Sequence, residues 1–475
     1  MIRLNHPERL PPLEQYGVTV LLDLSRLLVV ADEYADVVTV SVVDDAAAGG
    51  GDLSSLETDR WGIRIRQGGI DLPRGLLELT RNIVGAAVEQ RSQARDRFDR
   101  VPPGENPLVA AGRWERPLVN AIAAEVRSAV REAAGRRPLR MVAPWPEGRA
   151  WAAAFTHDVD VVTGWPAFAL MRVGELVRRR ELSRAAGVIA AATAHVGRNP
   201  VRLAVDEVLA VEREEGVRST WFFLTGTPSF ATWRRGDITY AIESKAARGI
   251  VDAVREADGE VALHGSFDTL TEPESFERER RRLAAVGGRV EGARQHFLRM
   301  RPGRTQAAMA TAGLLYDASY GFSDRNGFRL GVADVVPAWN DHEGREDHIE
   351  LVPLAWMDRV LSKHQRVESP AALAASAVES AEACRAVEGL WVGLWHPNMT
   401  APLGFPGAAD AYREIVERIC QAEPYVATLA EIVEWCRARR ALRARRVNPD
   451  GRVELDQTGL GGHRFVLRDE TGRAV

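Results

Sequence analysis

Short apolar runs alternate with helical stretches along the chain from position 151 onward. Six of these runs have the length and composition of buried strands: 151–155 (WAAAF), 219–226 (STWFFLTG), 260–265 (EVALHG), 293–298 (ARQHFL), 349–354 (IELVPL) and 390–396 (LWVGLWH). Apolar residues recur at helical spacing between them, in 199–216, 244–259, 273–288, 369–389 and 408–423. This alternation predicts parallel β/α units, arranged as a barrel or as an open α/β sheet.

The first 145 residues follow a different pattern. They contain a strand-like run at 37–43, a glycine-rich loop at 46–55, and amphipathic helices at 76–90 and 116–133. Three prolines between positions 135 and 151 indicate a domain boundary. We therefore predict an accessory α/β domain at 1–145, a second unit at 146–442 and a short C-terminal β extension at 443–475.

The C-terminal extension carries two strand-like segments, at 452–459 and 463–472, separated by a glycine-rich turn at 459–462. Such an element either covers an edge of the main sheet or forms a hairpin that contacts carbohydrate.

Composition and charge place the chain among ordinary globular proteins. Its 475 residues are 45% hydrophobic and 27% charged, with a net charge of −4, which gives no argument for nucleic acid or an anionic membrane as partner. The arginine runs at 178–180 and 437–446 are interpreted as solvated helix faces. Three cysteines without a CxxC pair, no signal pattern and no apolar run long enough to span a membrane predict a cytoplasmic location.

Two carboxylates stand at the end of the first strand of the second unit. Asp158 and Asp160 are one residue apart in the segment FTHDVD, so on a strand they point to the same face. A buried carboxylate needs a cation, a hydrogen-bond donor or a metal to compensate its charge. This pair alone is also compatible with a solvated turn or a helix cap.

Three further strand ends carry groups that compensate such a charge. His264 and Asp268 stand in HGSFD, Arg294 and His296 in RQHF, and His396 in WHPN. Each motif alone is compatible with an ordinary loop, a surface ion pair or packing. Because the carboxyl ends of parallel strands gather at one place, the four together indicate a metal-assisted hydrolase.

The chemistry of these side chains suggests a role for each. Asp160, His264 and Asp268 provide one imidazole and two carboxylates, a set suited to Zn²⁺, Fe²⁺, Co²⁺ or Mn²⁺. A nearby carboxylate then accepts a proton from water, Arg294 keeps that carboxylate ionised, and His396 protonates a leaving amine. The tryptophans at 339, 356, 391 and 395 either stack on a sugar ring or pack in the core.

In order along the chain, THDVD (156–160), HGSFD (264–268), ARQHFLRMRPG (293–303) and LWVGLWHP (390–397) resemble the motifs of the NodB-type polysaccharide deacetylases, carbohydrate esterase family four. Segments 97–120 and 312–331 resemble regions of an intracellular subgroup with an extra N-terminal region. The resemblance covers roughly residues 90 to 440. It implies a distorted, TIM-like (β/α) barrel with fewer than eight strands at 146–442, Asp158 as base and Asp160 as metal ligand.

The chain departs from the family pattern at two places. Asp268 stands where the family has the second histidine of its metal-binding motif, and the proline of the arginine motif is absent after Arg294. Either Asp268 acts as a ligand, or His296 supplies the missing imidazole, or the site binds metal poorly and the protein is inactive.

The sequence thus predicts a hydrolase of carbon–nitrogen bonds other than peptide bonds that depends on a divalent metal, with zinc expected and cobalt, iron or manganese as alternatives. The expected reaction is deacetylation of an N-acetylated sugar or sugar precursor in glycan metabolism. The expected partner is a small-molecule or glycan substrate, with no nucleic acid and no membrane span. The alternative is a catalytically inactive NodB-like protein that binds glycans or acts as a scaffold.

Overall fold

The computed structural model describes residues 1–5, 7–30, 37–44, 53, 59–237, 240–365, 369–447, 453–456, 460–469 and 473–474. The glycine-rich loop predicted at 46–55 lies outside these residues, except for Leu53. None of the helices in the described ranges combines the length and apolarity needed to cross a bilayer.

The N-terminal region forms a small sheet covered by helices. Its strands are β1 (Ile2–Leu4), β2 (Val38–Val43), β3 (Arg64–Arg66) and β4 (Gly69–Pro73), and β5 (Met141–Val142) follows near its end. Its helices are α1 (Pro12–Leu24), α2 (Arg74–Val84), α3 (Ala87–Arg91), α4 (Pro107–Ala110) and α5 (Leu118–Ala134). The sheet order is β1-β2-β4-β3, parallel except for β3. The strand predicted at 37–43 and the helix predicted at 116–133 are confirmed.

The single helix predicted at 76–90 is wrong, because the chain breaks it into α2 and α3. Gly85 ends α2, and Ala86 adopts a left-handed conformation with φ of 50°, which few residues other than glycine adopt. A Cβ atom on Gly85 would lie 2.9 Å from the Cβ atom of Trp339. The helical spacing of apolar residues continues through this break, so the sequence pattern does not reveal it. The backbone at Gly85 is instead set by its packing against Trp339 of a distant strand.

The larger part of the chain forms a ten-stranded, mostly parallel sheet. Its strands are β6 (Ala152–Val159), β7 (Thr220–Leu224), β8 (Glu260–Gly265), β9 (Gly292–Gln295), β10 (Tyr316–Asp317), β11 (Val336–Asn340), β12 (Arg345–Leu351), β13 (Trp356–Met357), β14 (Leu390–Trp395) and β15 (Tyr425–Val426). The order is β11-β12-β10-β9-β8-β7-β6-β14-β13, and β15 also pairs with β6. Only the β11–β12 pair is antiparallel. The predicted parallel β/α units are thereby confirmed.

Helices connect the strands and cover the sheet. They are α6 (Trp165–Arg178), α7 (Leu182–Ala194), α8 (Pro200–Glu214), α9 (Phe230–Arg235), α10 (Lys245–Glu256), α11 (Ser275–Gly287), α12 (Arg304–Thr311), α13 (Asp358–Val360), a π-helix (Leu361–Gln365), α14 (Pro370–Arg385), α15 (Ala408–Cys420) and α16 (Leu429–Ala441). Short 3-10 helices include Phe267–Leu270 and His296–Leu298. All five helices predicted between the strands are present. Every residue of β6, β7 and β14 is buried, as expected for strands covered on both faces.

The main sheet is strongly curled. Val352 N, just after β12, donates a hydrogen bond to Asp317 O in β10, and Ala355 N donates to Val392 O in β14. Strands β10 and β14 are five strand spacings apart in the sheet, about 24 Å if it were flat. The three Cα steps from Val352 to Ala355 span at most about 11 Å. The two sides of the sheet therefore approach each other, and the strand ends surround one space.

The C-terminal strands are β16 (Arg443–Val447), β17 (Val453–Asp456) and β18 (Leu467–Arg468). β17 pairs with β16, and β18 pairs with β5. The two predicted tail segments, 452–459 and 463–472, thus pair with other strands in the described residues and do not form a hairpin with each other. Through β18 and β5, the C-terminal extension packs on the proline-rich segment 135–151, where the boundary between the first two units is predicted.

The N-terminal region and the main sheet share one hydrophobic core. The same cluster of buried side chains contains Leu21, Leu77 and Ile122 from the first region and Phe155 and Trp221 from the main sheet. Packing is therefore continuous across the boundary predicted near position 145.

Candidate active site

The carboxyl ends of four strands carry polar side chains at one edge of the main sheet. β6 carries Asp158, and Asp160 follows one residue past its end. β8 carries His264, and β9 carries Arg294 at the neighbouring register position. His396 directly follows β14. Because these strands are parallel members of one curled sheet, the structure brings the five residues together.

Asp160, His264 and His296 form a group that could hold a metal ion, with ligand atoms all within 4.8 Å of one another. Nε2 of His264 lies 3.2 Å from Oδ1 of Asp160, and Nε2 of His296 lies 3.5 Å from the same atom. Both imidazoles are almost completely buried, whereas the Asp160 side chain is 20% exposed. The group is therefore accessible from the side of Asp160.

The two histidines are oriented by hydrogen bonds from their other nitrogen. Nδ1 of His264 donates to the carbonyl oxygen of Arg294 at 2.8 Å. Nδ1 of His296 donates to Oδ1 of Asp237 at 3.0 Å. In the neutral imidazole this leaves the Nε2 lone pair directed at Asp160, which is the arrangement that metal-binding histidines adopt in proteins.

The electrostatics of this group favour a cation. Burial alone would raise the pKa of Asp160, but the nearby charges of His296 and His396 hold it below its ordinary range. Burial alone would lower the pKa of His296, but the carboxylates of Asp160 and Asp237 raise it. The carboxylates therefore dominate the local field, and a divalent cation would satisfy them.

Asp158 is held in a buried ion pair. Nη1 of Arg294 donates to Oδ1 of Asp158 at 2.8 Å and to Oγ1 of Thr156 at 3.0 Å. The second oxygen of Asp158 lies 3.6 Å from Nε2 of His264. Burial alone would raise the pKa of Asp158, but the charges of His264 and Arg294 lower it, so the carboxylate is ionised and oriented beside the metal-ligand group.

His396 stands on the opposite side of the same group. Its Nδ1 donates to Oδ1 of Asp358 and its backbone N–H donates to Oδ2, both at 2.7 Å. Its Nε2 lies 3.8 Å from Oδ2 of Asp160. Burial would lower the pKa of His396, but the Asp358 carboxylate and its hydrogen bond raise it above the ordinary value. A protonated imidazole is thus available next to Asp160.

The structure does not bring Asp268 into this group. It lies on the 3-10 helix Phe267–Leu270, and its Oδ1 accepts a hydrogen bond from Nη2 of Arg235 at 3.1 Å. Its side chain is 43% exposed. The four-residue spacing from His264 does not bring Asp268 to the same side because β8 ends at Gly265 and the chain turns there. The sequence left open whether Asp268 or His296 completes the metal-ligand group, and in the structure the third residue is His296.

Three supporting residues were not found from the sequence. Asp237 and Asp358 are completely buried and orient His296 and His396. The hydroxyl of Tyr240 donates to the carbonyl of Val159 at 2.6 Å and accepts from the amide of Leu224, which fixes the ends of β6 and β7. The only signal for Asp358 was its place directly after a short apolar run, and Asp237 had none.

His157, the histidine inside the THDVD motif, belongs to a different environment. Successive side chains of a strand alternate between its faces, so His157 points away from Asp158. Its Nε2 lies 2.9 Å from Oε1 of Glu212, and its ring packs 4.1 Å from the ring of Trp221. The hydroxyl of Tyr412 donates to the same Glu212 oxygen at 2.6 Å. His157 is therefore part of the packing of β6 against the helices.

The site lies in a cavity of about 680 Å³ whose walls mix apolar and positively charged side chains. Asp158, Asp160, His264, His296 and His396 line it. The tryptophans at 339, 356, 391 and 395 are between 1% and 4% exposed and do not line this cavity, so they pack in the core. Trp233, which is 41% exposed, lies at the cavity wall instead.

No family model and no curated protein matches the sequence. Matching solved structures include a protein from Mycobacterium smegmatis assigned as a polysaccharide deacetylase, with a TM-score of 0.42, 23% identity, and coverage of 64% of this chain and 95% of that one. One from Pseudomonas aeruginosa PAO1, also assigned as a polysaccharide deacetylase, has a TM-score of 0.41, 14% identity, and coverage of 62% and 94%. A CE4 family pseudoenzyme from Bacillus anthracis has a TM-score of 0.28, 9% identity, and coverage of 59% and 65%. These neighbours carry the name of the family that the sequence motifs resemble. Since all three TM-scores are below 0.5, the case for a function depends on the site geometry.

Proposed function

We propose that this chain is a divalent-metal-dependent hydrolase of non-peptide amide bonds that deacetylates an N-acetylated sugar or sugar precursor. The observation that carries the proposal is the Asp160–His264–His296 group, with the buried Asp158–Arg294 pair on one side and His396 on the other. A metal-ligand set, an ionised carboxylate and a protonated imidazole meet in one cavity. Hydrolysis of an amide bond needs a group of each of these three kinds.

The donor set of the group fits a divalent transition metal. Two imidazole nitrogens and one carboxylate oxygen suit Zn²⁺, and also Co²⁺, Fe²⁺ or Mn²⁺. Three protein ligands leave coordination positions open, as in catalytic rather than structural sites. When bound, such a metal polarises a carbonyl oxygen and lowers the pKa of a coordinated water.

The protein side chains account for the proton transfers. Asp158, ionised and held by Arg294, accepts a proton from the water that adds to the acetyl carbon. His396, protonated and held by Asp358, donates a proton to the sugar nitrogen as the C–N bond breaks. The products are acetate and a free amine. Both groups lie beside the metal ligands: Asp158 is 3.6 Å from Nε2 of His264, and Nε2 of His396 is 3.8 Å from Asp160.

The fold interpretation supports the same proposal. We assign residues 146–442 to a NodB-type barrel, because the sheet is curled and the four motifs lie at its strand ends in the family order. Residues 1–145 are proposed as the accessory region and 443–475 as the β extension. The inactive alternative was based on Asp268 in place of a second histidine. Asp268 is a weaker argument for an inactive protein than the sequence suggested, because His296 supplies a second imidazole to the metal-ligand group.

Metal content tests the ligand assignment. Protein purified without added metal should contain about one equivalent of divalent metal per chain by elemental analysis. The variants Asp160→Ala, His264→Ala and His296→Ala should lose it, because each removes one of three ligands. Asp268→Ala is the matched control and should keep its metal. A loss of metal in Asp268→Ala with retention in His296→Ala would contradict the assignment.

Turnover tests the reaction. Asp158→Asn should keep the metal and the fold but lose at least about 100-fold in kcat on an N-acetyl sugar, since it removes the general base. If wild-type protein with one bound metal hydrolyses no N-acetylated sugar, the chain is a binding protein instead.

A further inference from the structure

Three cations on the cavity wall have no acidic partner. Arg97, Arg359 and Lys363 line the cavity, and no carboxylate in the described ranges lies within 4.0 Å of them. Burial lowers the pKa of Arg359, and the nearby carboxylates, chiefly that of Asp358, offset only part of this. Burial and the charges of Arg359 and Arg97 likewise lower the pKa of Lys363. Arg97 and Lys363 are exposed, whereas Arg359 is partly buried and lies over the ring of Phe405. Cations that line one cavity with no carboxylate in contact indicate an anionic ligand.

The other two arginines of the wall differ from these three in having carboxylate partners. Nη2 of Arg100 lies 2.6 Å from Oδ2 of Asp96, and Nη2 of Arg235 lies 3.1 Å from Oδ1 of Asp268. Arg97 and Arg359 lie over the rings of Phe98 and Phe405, but neither they nor Lys363 contact a carboxylate. We name these three the cation cluster (Arg97, Arg359 and Lys363).

A second observation concerns the surface beside the cavity. Ten large apolar side chains are clearly exposed in the described part of the chain, and nine of them lie between positions 170 and 233: Leu170, Met171, Val177, Leu182, Ile189, Val196, Leu203, Phe230 and Trp233. Scattered single exposures are ordinary, but a concentration of this kind marks an interaction surface.

The exposed residues of α6 and α7 form stripes. Leu170 and Val177 are seven residues apart, as are Leu182 and Ile189, and Val196 continues the second series just past α7. Seven residues are close to two helical turns, so each series lies on one face of its helix. We call residues 165–196 the α6–α7 hairpin.

The apolar surface continues into the cavity and carries positive charge. Met171 and Trp233 are exposed at the surface and also line the cavity. The α6–α7 hairpin contains five arginines and two glutamates and no other charged residue, although the whole chain has a net charge of −4. Three of these arginines pair with the two glutamates, whereas Arg178 and Arg180 are exposed. An apolar stripe with surrounding arginines is typical of segments that lie on an anionic membrane surface.

We propose that the substrate is an N-acetylated sugar carried on a lipid phosphate. The cation cluster binds the phosphate, and the α6–α7 hairpin with Phe230 and Trp233 contacts the lipid at a membrane surface. This rests on the proposed function for the chemistry at the sugar. A second copy of the chain is a poorer occupant of the apolar surface, because it would bring two arginine-rich hairpins together.

Vesicle binding tests the lipid contact independently of catalysis. Asp158→Asn protein should cosediment with vesicles of phosphatidylcholine mixed with phosphatidylglycerol, and more weakly with phosphatidylcholine alone. Leu182→Ser together with Ile189→Ser should lower this partitioning about tenfold or more, because two apolar side chains no longer enter the interface. Val88→Ser is the matched control and should bind as before. Among the large apolar side chains that are exposed in the described residues, Val88 is the one that lies outside positions 170–233.

Substrate preference tests the phosphate contact. The same N-acetylglucosamine is offered free, linked to uridine diphosphate, and linked to farnesyl phosphate. The lipid-linked form should have a kcat/KM at least about 100-fold above that of the free sugar. Lys363→Gln and Arg359→Gln should each raise KM for the lipid-linked form about tenfold, and by a much larger factor than any change in KM for the free sugar. Arg281→Gln, on the exposed face of α11, is the control.

Several results would overturn the proposal. One is equal turnover of the nucleotide-linked and lipid-linked sugars without vesicle binding, which would identify a nucleoside diphosphate as the anion. Another is a dimer that the Leu182 and Ile189 substitutions dissociate, which would make the hairpin a contact between copies. If no form is turned over but vesicles and farnesyl phosphate bind, the proposed function fails while the lipid contact stands.

Discussion

Each histidine of the site is oriented by a partner that only the folded chain supplies. The histidines themselves were predictable because they stand at the ends of apolar runs. Their partners were not: one is the carbonyl oxygen of Arg294, and the others are Asp237 and Asp358, two of 66 acidic residues in the chain. The choice between Asp268 and His296 was open for the same reason. It depends on where the chain turns after β8 and β9.

Asp358 provides a pH-dependent test at this scale. His396 donates a proton only while it is protonated, so activity should fall as pH rises through its raised pKa. Asp358→Asn removes the negative charge that raises this pKa. The alkaline limb of the kcat profile should therefore move to lower pH, and kcat should fall about 10- to 100-fold.

The control for this test is Asp268→Asn, which removes a carboxylate that is bonded to Arg235 and not to His396. Its pH profile should match that of the wild type. An unchanged alkaline limb in Asp358→Asn would show that His396 is not the group that titrates.

At the scale of elements, strand interiors were predictable and strand ends were not. The predicted strand 293–298 ends at Gln295, because Phe297 and Leu298 have positive φ angles of 61° and 52°. The ring of Phe297 stacks 3.9 Å from the imidazole of His296 and 5.0 Å from the ring of Phe98 in the N-terminal region. Likewise β12 spans Arg345–Leu351 and not 349–354. Apolar runs show what is buried, but contacts with other elements decide where a strand stops.

The contact between α11 and β8 has a predicted pH dependence. Oε1 and Oε2 of Glu279 accept hydrogen bonds from the hydroxyl and the amide of Ser266, just past β8. Burial raises the pKa of Glu279 to about 7 from its ordinary 4.5. The folded state then binds more protons than the unfolded state between these values, so stability falls as pH rises through this window, by about 3 kcal/mol in all.

Glu279→Gln should remove this contribution, since glutamine resembles the protonated side chain. The free energy of unfolding, measured in urea between pH 4 and 8, should then fall less with rising pH than in the wild type. Glu277→Gln, on the exposed face of the same helix, should keep the wild-type slope. Parallel curves for Glu279→Gln and wild type would mean that Glu279 titrates normally.

For the whole molecule, the N-terminal region is a structural part of the site. The carbonyl of Phe98 accepts a hydrogen bond from Nε of Arg299 at 2.9 Å, and Arg100 donates to the carbonyl of Phe297 at 2.7 Å. Phe98 and Arg100 also line the cavity. These contacts join residues about 200 positions apart, so local patterns of apolar and polar residues do not reveal them. The sequence therefore indicated the two regions but not that one completes the other.

A buried ion pair across the two regions offers the test at this scale. Glu89 on α3 accepts hydrogen bonds from Arg329 at 2.5 to 3.2 Å, and both side chains are at most 4% exposed. Glu89→Gln leaves a buried guanidinium without its counter-ion and should lower the free energy of unfolding by about 3–5 kcal/mol. Glu132→Gln breaks the exposed pair with Arg60 within the N-terminal region and should cost less than about 1 kcal/mol. Denaturant titration of both variants would measure the difference. Equal small losses would mean that this ion pair contributes little and that the shared apolar core holds the two regions together.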